Sequence, residues 1–401
     1  MAETNGANDA RPLDGIRVDE LTQWVAGPST AGLMADFGAD VIKVEAPSGD
    51  PQRAFLAALG VDKKIANPSF AQDNRGKRSI VLDLTDPDDR AVMYDLLADA
   101  DVFVTNMRLN PLTRLGLDPN EIHERFPSLV VASQTGYGSV GPDRDTPGYD
   151  IGAFVSRSGM ARTNRPPDEE PMNLKGAIGD HITGMATCMA VLAALNARHQ
   201  TGRGSLVETS LLQTGLYTMA MDLSMQMTLG RLKRMRPRAE SLAPMVNSYQ
   251  AGDGRWFYLI GLEMERHFPV LCRAIGRADL AEDARFATAA GMVEHRVEMI
   301  AALDETFAAH DLDHWAEIFA AHDVWWAPSL TTSEVGEDPQ VQALGTFVPV
   351  TESGMTMTTV AAPARFNGQV FAPRRPVPEL GEHSDEIRAE LAERRTRSTP
   401  S

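Results

Sequence analysis

The feature that most restricts this chain is a rhythm in its first 140 residues. Short apolar, β-branched runs alternate with stretches of helical period. Ile16–Leu21, Val41–Glu45, Ser79–Leu82, Val102–Thr105 and Leu129–Ser133 read as strands. Between them Ser29–Phe37 (closed by Gly38), Asp86–Ala98 and Pro119–Arg125 read as helices. Such β-α-β alternation predicts a parallel sheet covered on both faces, hence an α/β fold. Open sheets of this kind bind ligands beyond the carboxyl ends of their strands. The loops that follow the strands are therefore where chemistry is expected.

Composition narrows the class. With 38 basic and 55 acidic residues the formal charge is −17. That excludes a whole-surface nucleic-acid binder, which needs net basic surface, and leaves room for a local basic pocket. The two cysteines, Cys188 and Cys272, fall in apolar helical surroundings. They read as core thiols of a reducing, cytoplasmic compartment, with no disulfide framework. The opening MAETNGANDARP lacks the apolar region of a secretory signal. No unbroken apolar run of about 18 residues is present, so no membrane span is expected.

Further along, His181–Asn196 is apolar nearly all round and predicts a helix buried in a large core, stopped by Gly202. Leu211–Leu229 is rich in methionine (Met219, Met221, Met225, Met227) and reads as core or as an apolar pocket wall. Arg231–Arg238 is basic and reads as a linker. Trp256–Ile260 is an expected strand, and Glu263–Ala274, Val293–His310 and Leu312–Ala321 are expected helices. Gly345–Val350 and Met355–Val360 follow as strands, then a helix near Asp385–Glu393 and a disordered tail, Arg394–Ser401.

Familiar catalytic signatures are missing: there is no GxxxxGK[ST], HExxH, CxxC or GxSxG, and no GxGxxG opens the first helix. His310 and His314 have a metal-compatible spacing but no third ligand, so no metal site is assigned. Three features remain. The turn Gly27-Pro28-Ser29-Thr30 either caps the first helix or binds an anion there. Arg75, Lys77 and Arg78 in NRGKRS, with Arg108 and Arg114 after the fourth strand, read as a pocket for a polyphosphate-bearing ligand. Asp180, in KGAIGDH, sits where an N-cap belongs; it is either a cap or a carboxylate held ionised beside a glycine, able to attack an activated acyl carbon.

Taken together, these residues resemble the family III CoA-transferases. The matching stretches run in order: PLDGIRV at Pro12–Val18, Ala26-Gly27-Pro28, GADVIKVE at Gly38–Glu45, Gly49-Asp50-Pro51, NRGKRSI at Asn74–Ile80, Asn106 with Arg114, Gly136-Tyr137-Gly138, Gly179-Asp180, Thr201-Gly202-Arg203-Gly204, Asp253–Trp256, and Leu380–Ser384. The resemblance implies a Rossmann-like large domain with a parallel sheet plus a smaller α+β domain. Residues 1–225 would form the large CoA-binding domain, 226–330 the small domain, and 331–401 a segment returning to the large one. It implies an interlocked homodimer and no permanently bound cofactor, coenzyme A and acyl-CoA being substrates with a carboxylic acid. CoA would lie along Val25, Ala26, Asn74, Lys77, Asn106, Met107, Arg108, Arg114, Gly136 and Tyr137. Asp180 matches the family's nucleophile, ionised at neutral pH without a base.

Departures accompany the match. Val25 stands where formyl-CoA transferase has a glutamine, Thr135 replaces a lysine and Ala46 an arginine, and the glycine-rich loop is absent near Glu240–Val246. Oxalate is therefore not assigned as acceptor. The nearest rival is an α-methylacyl-CoA racemase. Such members pair the aspartate with a histidine, whereas this chain has Gly148-Tyr149-Asp150, and tyrosine, with its pKa near 10, is a poor acid/base there. A non-catalytic CoA-binding protein is the third reading.

Overall fold

The computed structural model describes residues 10–62, 65–231 and 234–398. The chain divides into two compact units. One comprises Met1–Ala161, Asn173–Arg231 and Leu344–Ser401; the other comprises Arg162–Met172 and Leu232–Ala343.

The first unit is built on a sheet of β1 (Arg17–Leu21), β2 (Asp40–Glu45), β3 (Arg78–Val81), β4 (Val102–Thr105), β5 (Val130–Thr135) and β6 (Leu206–Ser210). The order is β3-β2-β1-β4-β5-β6 and every pairing is parallel. The helices in chain order are α1 (Ala26–Asp36), α2 (Phe55–Ala58), α3 (Pro68–Asn74), α4 (Pro87–Asp99), α5 (Leu109–Arg114), α6 (Pro119–Arg125), α7 (Met160–Thr163), α8 (Ile178–Thr201), α9 (Leu211–Thr218) and α10 (Ala220–Leu229). This is the α/β parallel sheet expected from the strand rhythm, in the Rossmann-like form that the resemblance implied. The strand order reverses between β1 and β4, and ligands of such sheets bind at that switch point.

Two apolar layers flank the sheet because alternate strand residues point to opposite faces. Ile42, Ile80 and Phe103 pack under Met93 and Leu96 of α4, with Ile387 and Leu391 closing the layer. Val18, Val41, Val104 and Val130 pack on Met34 of α1 and Val191 and Leu195 of α8. The glycine at 184 permits the α1–α8 approach: a Cβ there would lie 2.0 Å from Ser29 Oγ.

Several expectations need correction. β6 and α3 were not foreseen. The first helix begins at Ala26, so Gly27-Pro28-Ser29-Thr30 lies within it as buried helix and not as an anion-binding turn; Ser29 Oγ donates to the Ala26 carbonyl. α8 is not apolar-buried all round. Its length and hydropathy would let it cross a membrane, yet one face lies on the sheet and the other leaves Met185 and Met189 exposed. The methionine stretch is core only at its start: Leu211 and Met219 are buried, but no residue of α10 is, and Met221 and Met227 are exposed.

The second unit holds a small antiparallel sheet of β7 (Ser248–Gln250), β8 (Trp256–Leu259) and β9 (Trp326–Pro328). Its helices are α11 (Met264–Ala274), α12 (Ala278–Glu282), α13 (Ala289–Glu294), α14 (Arg296–Phe307) and α15 (Leu312–His322), around a core that includes Tyr249, Phe257, Phe307 and Phe319. Then come α16 (Thr332–Val335) and α17 (Pro339–Leu344), and, in the first unit, the hairpin β10 (Phe347–Glu352) and β11 (Met355–Val360) and α18 (Ser384–Ser398). The expected tail disorder fails over Arg394–Ser398, which continue α18; residues 399–401 lie outside the described set. His310 and His314 stack at 4.0 Å, and no group of three metal-ligating side chains occurs among the described residues. Both cysteines are free and buried, and burial pushes their thiols up, to about 12 for Cys188 and about 11 for Cys272. They are inert packing groups.

Candidate active site

A cleft of about 340 Å³ opens at the carboxyl ends of β1, β4 and β5. Its floor is set by a reciprocal clamp across the switch point. The Gln23 backbone N–H donates to Asn106 Oδ1 at 2.9 Å, and Asn106 Nδ2 donates to the Gln23 carbonyl at 2.7 Å. This fixes the loop after β1 to the loop after β4. Trp24, next in the chain, is held at φ 66, a left-handed conformation unusual for a bulky residue. Its N–H donates to Asp50 Oδ1 at 3.1 Å. Its ring meets Tyr149 and Phe55 edge-on, with centroids 6.0 and 6.3 Å apart.

Asp180 is the acidic side chain of this cleft. It lies in the first turn of α8, two residues into the helix, not at its cap. The cap is Ala177, at φ 56, with no side-chain hydrogen bond. A helix N-terminus favours an anion, but burial dominates and, with Asp150 nearby, pushes Asp180 up to about 7, opposed by His181. The expectation of a fully ionised aspartate at neutral pH is therefore corrected. Gly179 has a steric reason: a Cβ there would sit 2.5 Å from Phe154 Cγ. Phe154 belongs to a single π-helical turn, Ile151–Ser156, that Asp150 leads into.

Of the sequence-predicted residues, Ala26, Asn106, Met107, Arg108 and Gly136 line the same cleft as Asp180. Val25 is buried at the start of α1 and does not line it. Tyr137 lies behind it, with the Arg157 guanidinium over its ring at 5.3 Å. Arg108 and Arg114 are exposed, and no ion pair ties down either among the described residues; Arg114 does not line the cleft. Asn74 and Lys77 are fully buried away from it. The expected polyphosphate pocket at NRGKRS does not exist, because its three cations are internally paired. Arg75 meets Asp36 at 2.7 Å and Lys77 meets Glu20 at 2.8 Å. Arg78 meets Asp40 at 2.6 Å and Glu390 at 2.8 Å. Buried cations held this way are unavailable to a ligand. Sequence reading missed Gln23, Trp24, Gln134 and Leu211 as lining residues, whereas Tyr149, read from the sequence as a poor acid/base, does line the cleft with Asp180. Gln23 and Trp24 carried a usable signal, since they directly follow the first strand.

A sequence profile of the family described as CoA-transferase family III matches residues 13–384. The chain belongs to that family. It is thus an enzyme, a family III CoA-transferase, and such enzymes use CoA thioesters. It is 32% identical over 407 aligned positions, covering 99% of this chain and 100% of the other, to a succinate–glutarate CoA-transferase of Agrobacterium fabrum. It is 29% identical to the (R)-2-hydroxy-4-methylpentanoate CoA-transferase of Clostridioides difficile, over 94% of each chain. Among solved structures, a CaiB/BaiF family protein from Brucella suis superposes with a TM-score of 0.83 at 31% identity, covering 95% of this CoA-transferase and all of the other chain.

Proposed function

We propose that this enzyme moves CoA from an acyl-CoA to a free carboxylic acid through a covalent intermediate on Asp180. One observation carries the reading: Asp180 is the acid lining a cleft at the switch point. The attacking Asp180 oxygen forms a bond to the thioester carbonyl carbon, and the carbon–sulfur bond breaks to release CoA thiolate, leaving a mixed anhydride. Thiolate then attacks the aspartyl carbonyl and expels the donor acid as carboxylate, giving an aspartyl-CoA thioester. An acceptor carboxylate attacks that thioester and the two steps reverse, restoring the Asp180 carboxylate. No electron or net proton is exchanged. The unfilled amides that open every helix supply donors beside Asp180 for the oxyanions.

The CoA chain is assigned to Ala26, Asn106, Met107 and Gly136, with Arg108 of the cleft as a phosphate partner and Arg114, exposed at the end of α5, as a second; neither has an ion pair among the described residues. An adjoining apolar cavity of about 160 Å³ shares Gln23 and Met107 with the cleft and suits the adenine ring. Val25, Asn74, Lys77 and Tyr137 act from behind, by shaping the elements that carry these contacts. The acyl and acceptor groups are those of carboxylic acids, as the names of the relatives indicate for those enzymes. We place the enzyme in a reducing, cytoplasmic setting on its two buried free thiols. We also assign it an interlocked homodimer: Met185, Met189, Tyr217, Met221 and Met227 leave an apolar surface that a second copy would cover.

The test is calorimetric titration of CoA together with an exchange assay on wild type and Asp180→Ala. The reading expects retained CoA affinity and lost exchange in the variant. Exchange that survives in Asp180→Ala rejects it, and deuterium entering the α-carbon without transfer would instead mark a racemase.

A further inference from the structure

Asp180 and His181 are consecutive in the first turn of α8, so their side chains leave the helix about 100° apart. Asp180 enters the cleft at the strand ends. His181 enters a different cavity, of about 380 Å³, walled in part by Leu33, Met185 and Val360. There His181 Nε2 meets Asp73 Oδ1 at 3.1 Å. Asp73 is 3% exposed and lies in the last turn of α3. The backbone N–H of His181 donates to the carbonyl of Ala177, the left-handed cap residue, at 3.1 Å. The ring is thus held by Asp73, one step along the chain from the cleft carboxylate.

The charges around Asp180 are few. Asp150, before the π turn, and Asp73, on α3, oppose a negative charge at 180, whereas His181 favours it. Arg108 lines the same cleft but is exposed and reaches solvent. Burial works against a proton on His181, yet Asp73, joined by Asp180, outweighs it and raises the imidazole above its ordinary value.

We propose that the His181–Asp73 pair is a positioning device for Asp180: the imidazole, fixed by Asp73, carries beside residue 180 a positive charge that offsets Asp150 and favours the anionic form of the attacking carboxylate. This rests on the reading of Asp180 as nucleophile. His181 never touches the substrate; it acts through its neighbour.

The experiment reads the ionisation of residue 180 directly. A diazoacetamide esterifies protonated carboxyl groups, so the pH dependence of its addition to the peptide holding residue 180, followed by mass spectrometry, gives that group's midpoint. In His181→Gln the midpoint rises by about half a pH unit or more, because the cation is lost and Asp73 remains. In His181→Lys it stays within about 0.2 of wild type, since a cation is restored. In the double variant His181→Gln/Asp73→Asn it falls back toward wild type. An unmoved midpoint in His181→Gln, or the same rise in all three variants, overturns the proposal, the second because a packing defect would do that. A separate incubation with succinyl-CoA and hydroxylamine reports on the nucleophile itself. No hydroxamate at residue 180 there would reject the parent reading while the titration stays readable.

Discussion

Replacing Asp19 with asparagine perturbs the sheet without touching the cleft. Asp19 sits in the middle of β1, in register with Ile42 and Phe103, both part of the apolar layer under α4. It is fully buried, and neither carboxylate oxygen has a hydrogen-bond partner among the described residues. Burial pushes its carboxyl from 3.8 up to about 7, with Arg17 and Arg78 opposing and Asp40 and Asp99 assisting. Between those values the folded protein binds the proton more tightly than the unfolded chain, so stability falls as pH rises through that window. The gap from 3.8 to about 7, at about 1.36 kcal/mol per pH unit, amounts to about 4 kcal/mol by pH 8. Asparagine has the same shape and no charge to lose. Native-state hydrogen exchange of the β1 peptide, read from pH 4 to 8, therefore gives Asp19→Asn a growing advantage over wild type that levels off above pH 7. Parallel pH profiles for the two proteins would refute the argument, because they would mean that residue 19 finds a partner or water when it ionises.

Other outcomes follow from the cleft. With Asp180 balanced near 7, kcat/KM should drop about tenfold between pH 8 and pH 6, as the anionic fraction falls; a flat acid limb would speak against attack by this group. Gly179→Ala forces a methyl into Phe154 and should cost about 1–3 kcal/mol in thermal stability and lower kcat, read by melting and initial rates. Arg108→Ala and Arg114→Ala should each weaken CoA binding about threefold to tenfold and flatten its salt dependence, read by titration at two ionic strengths. Lys77→Ala should instead cost about 3–5 kcal/mol of stability, because it leaves Glu20 buried beside one cation fewer.

What was legible in the sequence was local. Five of the six parallel strands showed as β-branched runs, and the helix carrying Asp180 showed as an apolar stretch stopped by Gly202. β6 was hidden, since Leu206–Ser210 mixes Glu208, Thr209 and Ser210 into a short run whose strand character comes from pairing with β5. The basic cluster misled for a related reason. Arg75, Lys77 and Arg78 look free in the chain, and their partners Asp36, Glu20 and Asp40 lie 39, 57 and 38 residues away. The order of the strands brings the last two pairs together, and the packing of α1 against α3 the first. The nearly all-apolar look of α8 marks a core helix on one face only, with Val191 and Leu195 buried and Met189 exposed, and no residue of α10 is buried. Periodicity reports that a face is apolar, not what covers it. The ionisation of Asp180 was invisible for the same reason, being set by burial and by Asp150 across a turn that no motif marks.

The most direct test is chemical capture during turnover. An acyl-CoA that supports exchange, an acceptor acid and hydroxylamine are incubated with the enzyme, and the peptide spanning Gly179–Thr183 is weighed. The account predicts a hydroxamate mass gain on Asp180, dependent on the CoA ester and missing in Asp180→Ala. Brisk exchange of CoA between acids with that peptide unmodified throughout would contradict it.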